Sequence, residues 1–437
     1  MKKYIESLLL WLINSGFFQR AFIYFILRYY KKRYGLEKTS KPRLFWGPTP
    51  LINYKFLSKS LSEIGYDSKT VVTHYYSVYK KEDFDIYVDD ILASYGFSDF
   101  VKTNFQPWIL MDYALKHFDV FHASYEGLFL GKTDYWNLEA YILHQCNKKV
   151  VLMPYGGDAF MYSQIKNTSQ QHALLINYPK LAKNENMIEE RLSYWQNNAD
   201  FCVGGGMIDG FRRWDSLSVN FLSVDIEKVL FKDEYSYANG INNEVVIVHT
   251  PNHRGVKGTE FIIKAINDLK SEGLKINLLL LENIKNDEVK KILSNKADIL
   301  VEQLIMTGYG LSAIEGLAAG LPVISNLEDS NFNQLFSRYS FLGECPIVSS
   351  SPEKIMETLR TLIVNPALRE ELGRCGRKFA AKYHSPSTTQ YLFNRIYDRI
   401  WYGNEVDIIN LFHPLHNNSY NNQSEIIYPP LQQNQLK

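Results

Sequence analysis

The sequence predicts an α/β fold of two domains, each built on a parallel β-sheet, and three observations lead to this prediction. The chain of 437 residues is too long for one ordinary core and has the size of two domains. Its apolar share of 46% and charged share of 22% are those of a globular protein. Short apolar runs alternate with helical patterns along most of the chain, which is typical of parallel strands joined by helices. We therefore expect two Rossmann-like domains with a ligand-binding cleft between them.

Charge and cysteine usage exclude several functional classes. A formal net charge of +1 gives no electrostatic case for binding DNA or RNA. The cysteines Cys146, Cys202, Cys345 and Cys375 stand singly, which favours reduced thiols in a cytoplasm over a disulfide framework or a zinc site. No stretch reaches the roughly 18 apolar residues of a spanning helix. We expect a cytoplasmic protein that does not cross the membrane.

Residues 1–41 form a basic leader with helical periodicity. Apolar residues recur at helical spacing on both sides of Gly16. The cations of the leader are Lys2, Lys3, Arg20, Arg28, Lys31, Lys32 and Arg33. Apolar faces flanked by cations are typical of helices that lie on an anionic membrane surface. The alternative is a helical pair packed on the protein's own surface.

The first domain is predicted over residues 42–223. A strand at 43–47 is followed by a glycine turn, a helix that ends near Gly65, and a strand at 70–73. The same alternation then continues with a strand at 118–123, a helix at 134–146, a strand at 149–154, a helix at 188–199 and a strand at 201–203.

The second domain is predicted over residues 224–385, and a crossing helix and a tail follow it. Its strands are expected at 244–249, 276–281, 298–301 and 322–324, and its helices at 259–269, 287–293 and 311–319. A helical pattern at 388–402, within the segment 386–403, can return to brace the first domain. Residues 404–437 are rich in Asn and Gln, and this composition predicts a flexible tail.

A glycine-containing basic loop joins the strand at 244–249 to the following helix. Arg254 and Lys257 stand beside Gly255 and Gly258, directly before a helix N-terminus. Cationic side chains and backbone N–H groups are what a diphosphate requires. The loop lacks the pattern of a Walker A motif, so a kinase or ATPase has little support. Taken alone, a solvated turn with two surface cations is an equal alternative.

A second glycine turn, at 307–310, opens a helix that carries one carboxylate. Glu315 lies about one turn inside this otherwise apolar helix. Its two oxygens suit the vicinal hydroxyls of a ribose, and Gly308 and Gly310 let backbone donors approach phosphate. The alternative is a glutamate paired with a neighbouring Lys or Arg.

These two motifs, in this order and spacing, resemble those of retaining GT-B glycosyltransferases of the large family four. The resemblance implies a GT-B fold and transfer of a sugar from a nucleoside-diphosphate donor. It assigns the diphosphate to Arg254 and Lys257 and the ribose to Glu315. The donor site that it implies also includes Gly255, Gly258, Thr307, Gly308, Tyr309 and Gly310. Cationic side chains are expected to replace a metal ion, so neither a metal nor another cofactor is expected.

The first domain offers candidates for catalysis and for acceptor binding. Asp158 and Tyr155 lie in a Pro-Tyr-Gly-Gly-Asp segment that looks like the family's His-Gly-x-Asp element, with Tyr155 in the histidine position. His122 is a third catalytic candidate, and Glu126 lies near it in the sequence. Gly47 and Thr49 resemble the family's first glycine loop, near the diphosphate or the acceptor.

One departure from the family pattern leaves other functions open. The family usually carries a first Glu eight residues before the second, and Thr307 stands there in this chain. A noncatalytic subunit that keeps the fold, bound to an active transferase, is therefore one alternative. A sugar-nucleotide epimerase is another, although the basic loop favours transfer. Asp83 and Asp85 form a short Asp-x-Asp pattern, which we interpret as a solvated surface. The expected partners are a nucleotide sugar and a glycan or lipid-linked acceptor at the inner face of the cytoplasmic membrane.

Overall fold

The computed structural model describes residues 16–35, 39–205, 208–217, 221–232, 234–328, 342–412, 431 and 434–436. The predictions for residues 1–15 and for most of the tail lie outside these ranges.

The first domain is built on a seven-stranded sheet. Its strands are β1 (Leu44–Trp46), β2 (Ser68–Val72), β3 (Ile86–Tyr87), β4 (Val120–Ala123), β5 (Lys149–Leu152), β6 (Phe201–Gly204) and β7 (Ser216–Leu217). Their order is β3-β2-β1-β4-β5-β6-β7, and every paired neighbour is parallel. All carboxyl ends therefore lie on one edge of the sheet, where open α/β folds bind their ligands.

Helices cover this sheet on both faces. They are α1 (Gly16–Tyr34), α2 (Ile52–Ser62), α3 (Val88–Ser94), α4 (Asp99–His117), α5 (Glu139–Gln145), α6 (Thr168–Asn177), α7 (Pro179–Lys183) and α8 (Glu185–Asn198). The sequence did not predict α3, α4, α6 or α7. In α4 the interior Pro107 breaks the helical signal, and α6 carries mostly polar residues in its first turn. Covered on both faces, β1 and β4 are buried at every position.

The second domain is built on a five-stranded sheet. Its strands are β8 (Val245–His249), β9 (Ile276–Leu280), β10 (Ile299–Thr307), β11 (Val323–Asn326) and β12 (Val348–Ser349). Their order is β12-β11-β10-β8-β9, and every paired neighbour is again parallel. The helices are α9 (Arg254–Lys257), α10 (Thr259–Ser271), α11 (Asn286–Asn295), α12 (Leu311–Ala318), α13 (Ile355–Val364) and α14 (Pro366–Tyr383). Both halves are thus parallel α/β layers, as the alternation of the sequence predicts.

Strand β10 continues well past the end that the sequence predicts for it, at residue 301. Its pairing with β11 shifts register between Val301 and Gln303 and again between Gln303 and Thr307. Such irregularities re-aim side chains and are frequent beside functional sites. The extension brings Glu302 and Gln303 to the carboxyl edge of the sheet, below the turn at 308–310.

The last helix, α15 (Pro386–Ile400), packs against the first domain. Gln390 donates to the carbonyl of Ser60 at 2.9 Å, and Tyr66 donates to Asn394 at 2.9 Å. Phe393 packs edge-on against Trp46, with ring centroids 5.1 Å apart. The return of this helix to the first domain, expected from the sequence, is therefore present.

Helix α1 packs on the first domain by one face only. Tyr30 donates to the carbonyl of Trp108 at 2.7 Å, and Tyr34 donates to Asp112 at 2.8 Å. The opposite face leaves the side chains of Tyr24 and Phe25 55% and 67% exposed. Within the part of the chain that the structure describes, we find no helix of the length and apolarity that crossing a bilayer requires.

The prediction of a flexible tail from residue 404 is wrong for the part that the structure describes. Ile408, Leu411 and Phe412 are at least 96% buried and belong to the same apolar cluster as α15. Asn434 is also buried, and its side-chain amide donates to the carbonyls of Cys345 and Ile347. Composition misled here because Ile408, Leu411 and Phe412 have apolar packing partners that composition alone does not reveal.

Candidate functional site

The basic loop of the second domain is fixed at both ends by one buried histidine. His249, the last residue of β8, lies 2.7 Å through Nδ1 from the carbonyl of Val301. Its Nε2 lies 2.9 Å from the hydroxyl of Thr259, the first residue of α10. Burial lowers the pKa of His249 to about 4, so the ring is neutral near pH 7. The loop between these contacts therefore has a defined path.

Both cations of this loop are paired with carboxylates of the same domain. Lys257 Nζ donates to Gln303 Oε1 at 2.8 Å and lies 3.3 Å from Glu302 Oε1. Arg254 pairs with Glu260 at 2.7 Å and with Glu282 at 3.1 Å. The positive charge that the sequence assigns to a diphosphate is therefore present and is balanced internally in this structure.

The second glycine turn leads β10 into α12. The amide of Gly308 donates to the carbonyl of Asn326 at 2.7 Å, which ties the turn to the end of β11. The amide of Gly310 donates to Glu302 Oε1 at 2.9 Å. The basic loop and the glycine turn thus meet at one carboxylate, Glu302, which is 2% exposed.

Glu315 is buried on α12 and contacts α11. Its carboxylate lies 3.4 Å from Lys290 Nζ and 3.2 Å from Asn286 Nδ2. Burial raises the pKa of Glu315, and the charge of Lys290 opposes this effect. The side chain therefore has the cationic neighbour that the alternative interpretation of the sequence required. Its second oxygen is 3.3 Å from the same Asn286 amide.

The first domain contacts the second on both sides of this site. Gln170 Oε1, from α6, accepts hydrogen bonds from the amide and the hydroxyl of Thr307, at 3.2 and 2.8 Å. A Cβ atom at Gly255 would lie 2.6 Å from Asn177 Nδ2 of α6, so a larger residue there would displace the Asn177 side chain. On the other side, Lys80 pairs with Asp287 of α11. The two domains are closed over the loops that the sequence singled out.

Gly47 and Thr49 follow the end of β1, at the carboxyl edge of the first sheet. Gly47 has a φ of 152°, and a Cβ atom there would lie 1.9 Å from the carbonyl oxygen of Val71. Only glycine fits this turn. Thr49 Oγ1 is 3.1 Å from Ser124 Oγ, at the end of β4. The glycine loop and the loop after β4 are therefore adjacent.

Asp158 is predicted as a catalytic residue, but in the structure its carboxylate accepts hydrogen bonds from backbone amides. It is 6% exposed, and it accepts from the amides of Tyr125, Tyr155 and Gly156, each at 3.0 Å. Burial raises the pKa of its carboxyl to about 7 against these hydrogen bonds. All three contacts are to loops at the carboxyl edge, so Asp158 is a positioning residue.

Tyr155 remains available at the surface of the cleft. Its ring is 43% exposed, and its hydroxyl donates to Glu126 Oε1 at 2.9 Å. Partial burial raises the pKa of Tyr155 strongly, and the carboxylates of Asp158 and Glu126 add to this effect. Tyr155 and Glu126 therefore form a hydrogen-bonded pair that can contact an acceptor hydroxyl.

The prediction that His122 is catalytic is wrong. The ring is fully buried and stacks on Trp46 with centroids 3.7 Å apart. Its Nδ1 is 2.9 Å from the carbonyl of Phe45, and its Nε2 is 2.9 Å from the hydroxyl of Tyr397 on α15. Burial lowers the pKa of His122 to about 3. Because both nitrogens are engaged, the residue joins the first sheet to the crossing helix.

Tyr309 also needs a correction as a donor-binding side chain. It is 6% exposed, and its hydroxyl lies 3.1 Å from His384 Nε2. His384 contacts the carbonyl of Leu222 through its other ring nitrogen, at 2.8 Å. The Tyr309 ring therefore anchors the turn in the core, and only its backbone is placed to face a ligand.

Sequence reasoning missed the residues that contact the two motifs. Glu302 and Gln303 lie beyond the predicted end of their strand, yet two polar residues after an apolar run were a usable signal. Lys290 belongs to the helix predicted at 287–293 and Asn286 directly precedes it, but their contact with Glu315 depends on how the helices pack. Gln170 comes from the other domain, and no local pattern identifies it.

The Asp-x-Asp segment is used for local structure. Asp85 Oδ2 accepts from the amide and hydroxyl of Thr70, both at 2.8 Å. Asp83 pairs with Lys55. Over the described ranges, no group of three or more His, Cys, Asp and Glu side chains is arranged to hold a metal ion.

Two parallel-sheet domains that close on each other over a basic loop define the GT-B class of fold. Residues 264–379, within the second domain, match the family model described as glycosyl transferases group 1. A protein of Methanocaldococcus jannaschii, described as an uncharacterized glycosyltransferase, is 27% identical over 172 residues, which cover 33% of this chain and 48% of that protein. The chain thus spans about half the length of this relative.

A solved structure supports the fold over most of the chain. The crystal structure of Anabaena HepE in complex with UDP-glucose superposes with a TM-score of 0.51 at 10% sequence identity. This comparison covers 81% of this chain and 99% of HepE. The HepE complex with UDP gives a TM-score of 0.50, again at 10% identity and with the same coverage.

Proposed function

We propose that the protein is a retaining glycosyltransferase that transfers a sugar from a nucleoside-diphosphate donor to a glycan or lipid-linked acceptor. The observation that carries this proposal is that Lys257 and the Gly310 amide contact the same carboxylate, Glu302, at the start of the helix that carries Glu315. Cationic and backbone donors beside a helix N-terminus suit a diphosphate. The carboxylate one turn further along α12 suits a ribose.

The donor chemistry needs no metal ion in this proposal. Lys257 and Arg254 supply positive charge toward the leaving diphosphate, together with the amides at the start of α12. Preorganised charge of this kind stabilises the transition state as the glycosidic bond to phosphate breaks. The leaving phosphate then accepts the proton of the acceptor hydroxyl, with retention of anomeric configuration. Tyr155 and Glu126 position that hydroxyl from the first domain.

The acceptor is proposed to be held at the inner face of the cytoplasmic membrane, as in the synthesis of surface polysaccharides. Support comes from α1, whose outward face combines Tyr24 and Phe25 with Arg20 and Arg28. Exposed aromatics beside cations suit the headgroup region of an anionic bilayer. A lipid-linked substrate bound there would lie close to the first domain, where the acceptor contacts are proposed.

A thermal-shift series with UDP, GDP, ADP, CMP and dTDP tests the donor site. UDP is the first choice, because the HepE structures contain UDP and UDP-glucose. At about 100 times its Kd, a bound nucleotide stabilises a protein by about 2.7 kcal/mol. We expect Lys257→Ala and Glu315→Gln to abolish this shift. Lys264→Ala removes an exposed cation of the neighbouring helix α10 and is expected to keep it. The absence of a shift with all five nucleotides would contradict the proposal.

One observation favours a noncatalytic partner subunit as the second candidate. Thr307 replaces the usual first Glu, and both its donors bond to Gln170 of the other domain. Slow hydrolysis of a nucleotide sugar by the isolated protein separates the candidates, since an active transferase leaks donor to water. The epimerase alternative has less support, because Asp158 and His122 are both engaged in holding the fold.

A further inference from the structure

Glu302 is a buried carboxylate inside the group of donors that the proposed function assigns to the diphosphate. Its Oε1 accepts from the amide of Gly310 at 2.9 Å and lies 3.3 Å from both Lys257 Nζ and Ser312 Oγ. Its Oε2 lies 3.3 Å from Ser325 Oγ. An ammonium, a hydroxyl and an amide at a helix start are the partners of a bound phosphate oxygen.

The position of Glu302 is fixed by the fold. The residue lies in β10 within the first register shift against β11, between Val301 and Gln303, and it is 2% exposed. Gln303, the next residue, holds Lys257 Nζ at 2.8 Å through its Oε1 and donates through Nε2 to the carbonyl of Gly308 at 3.0 Å. The basic loop and the glycine turn are therefore tied together through these two side chains.

We propose that Glu302 is a built-in anion that occupies the phosphate-binding groups and sets which nucleotide they prefer. This inference rests on the proposed donor site. In the nucleotide-free protein the carboxylate orients Lys257 and the Gly310 amide. In the presence of a nucleotide it repels negative charge placed beside it. Repulsion grows with the charge of the ligand, so a free nucleoside diphosphate is disfavoured more than a nucleotide sugar.

The difference in ligand charge comes from the terminal phosphate. A terminal phosphate monoester has a second pKa of about 6 and carries up to about two negative charges at pH 7. In a nucleotide sugar the same phosphate group is a diester and carries a single negative charge. A fixed carboxylate nearby therefore promotes release of the free nucleoside diphosphate that transfer leaves behind, and it limits inhibition by this product.

Isothermal titration calorimetry with UDP and UDP-glucose tests this role on the full chain. Glu302→Gln keeps the shape of the side chain and removes its charge. We expect the Kd for UDP to fall about tenfold, and the Kd for UDP-glucose to fall less. The ratio of the two constants is the decisive readout, because general damage to the site weakens both ligands together. Glu272→Gln removes a carboxylate from an exposed pair with Arg360 and is expected to leave the ratio unchanged.

A second variant covers the case in which Glu302→Gln folds poorly. Glu302→Asp withdraws the carboxylate from the Gly310 amide by one methylene, so it too is expected to bind UDP more tightly than the unmodified protein. If the unmodified protein binds UDP and both variants bind it equally or more weakly, the role of Glu302 is overturned while the donor site stands. If neither the unmodified protein nor a variant binds any nucleotide, the proposed function fails as well.

Discussion

Asp119 gives the clearest energetic prediction for a single residue. The side chain is fully buried at the amino end of β4, and it pairs with Arg43 and with Lys148, each at 2.8 Å. Lys148 is itself 1% exposed as a side chain, so removing its partner leaves a buried charge. We expect Asp119→Asn to lower the free energy of unfolding by about 3 to 5 kcal/mol. Urea denaturation at pH 7 measures it, with Asp268→Asn at an exposed pair as the control.

The same residue predicts a pH dependence of stability. Burial raises the pKa of Asp119, but the hydrogen bonds from Arg43 and the charge of Lys148 outweigh this effect and lower it to about 2. An unfolded Asp has a pKa of about 3.9. The contribution of Asp119 is therefore complete above about pH 4 and is lost as the pH falls toward 2. Unfolding free energies between pH 2 and 6 should converge for the unmodified protein and Asp119→Asn at the acid end. If the two plots of unfolding free energy against pH stay parallel over this range, Asp119 is not the source of this pH dependence.

At the residue scale, the sequence identified motifs better than roles. Lys257 and Glu315 were singled out as diphosphate and ribose contacts; the structure shows them half-buried and buried, and their contact with a donor stays a prediction. His122 and Asp158 were placed at strand ends correctly, but their hydrogen bonds hold the fold. The sequence around a strand-end histidine does not show whether the ring faces a cleft or a neighbouring helix. Here the helix that contacts His122 lies more than 250 residues later in the chain.

Helix α15 gives a prediction at the scale of the element. The hydroxyl of Tyr397 and the Nε2 of His122 are 2.9 Å apart in a fully buried position. Tyr397→Phe removes the hydroxyl and leaves the ring nitrogen without this partner. We expect a loss of about 1 to 3 kcal/mol in the free energy of unfolding, which is the cost of a buried unsatisfied polar group. Tyr402→Phe, just beyond the helix and 44% exposed, serves as the control and should change stability little.

Helix α1 gives a second prediction at this scale. Tyr24 and Phe25 are exposed, whereas Phe22 on the opposite face packs on Trp108 with centroids 5.4 Å apart. The double variant Tyr24→Ser/Phe25→Ser should therefore fold normally and bind anionic vesicles at least about tenfold more weakly. Cosedimentation with vesicles of phosphatidylglycerol and phosphatidylcholine measures the difference.

The matched control for the membrane prediction is Tyr237→Ser. Tyr237 lies in the second domain and is 84% exposed, so its loss removes an exposed aromatic far from α1. If this variant and the double variant sediment with vesicles equally, α1 is only a packing helix of the first domain. The sequence left these two interpretations open, because one-sided packing and membrane binding produce the same amphipathic pattern.

The elements that the sequence predicted are those with strong periodicity. Helix α10, for example, begins at the predicted residue, Thr259, and runs two residues beyond the predicted end. The extension of β10 was missed because Glu302 and Gln303 interrupt the apolar run that defines a buried strand. Polar residues are tolerated there because each finds partners in the glycine turn. The two polar side chains that interrupt the strand pattern are therefore the same ones that contact the glycine turn.

At the scale of the whole molecule, the two domains meet through shared apolar clusters and through a few polar contacts beside the site. Gln170 bonds to Thr307 on one side of the site, and Lys80 pairs with Asp287 on the other. The Lys80 and Asp287 side chains are 53% and 61% exposed, so water screens this pair and it adds little to the closing free energy. On that side of the site the contact is therefore easily broken when a substrate enters the cleft.

The double variant Lys80→Ala/Gln170→Ala tests this view of closure. We expect a larger radius of gyration by small-angle X-ray scattering in the absence of nucleotide, with a return toward the original value when UDP-glucose is added. Arg360→Ala breaks an exposed ion pair within the second domain and should leave the radius unchanged. An unchanged radius in the double variant would place the closing free energy in other contacts.

The crossing of α15 has a consequence for synthesis of the chain on the ribosome. Trp46, in the first strand of the first sheet, packs on Phe393, and His122 has its hydrogen-bond partner in Tyr397. The ribosome adds about 5 to 20 residues per second, so the first domain emerges many seconds before the helix that covers it. During that interval the part of the sheet that α15 covers, around Trp46 and His122, lacks its final packing partner. The first half of the protein is therefore a natural client for chaperones, and it completes its core only when the second half has been made.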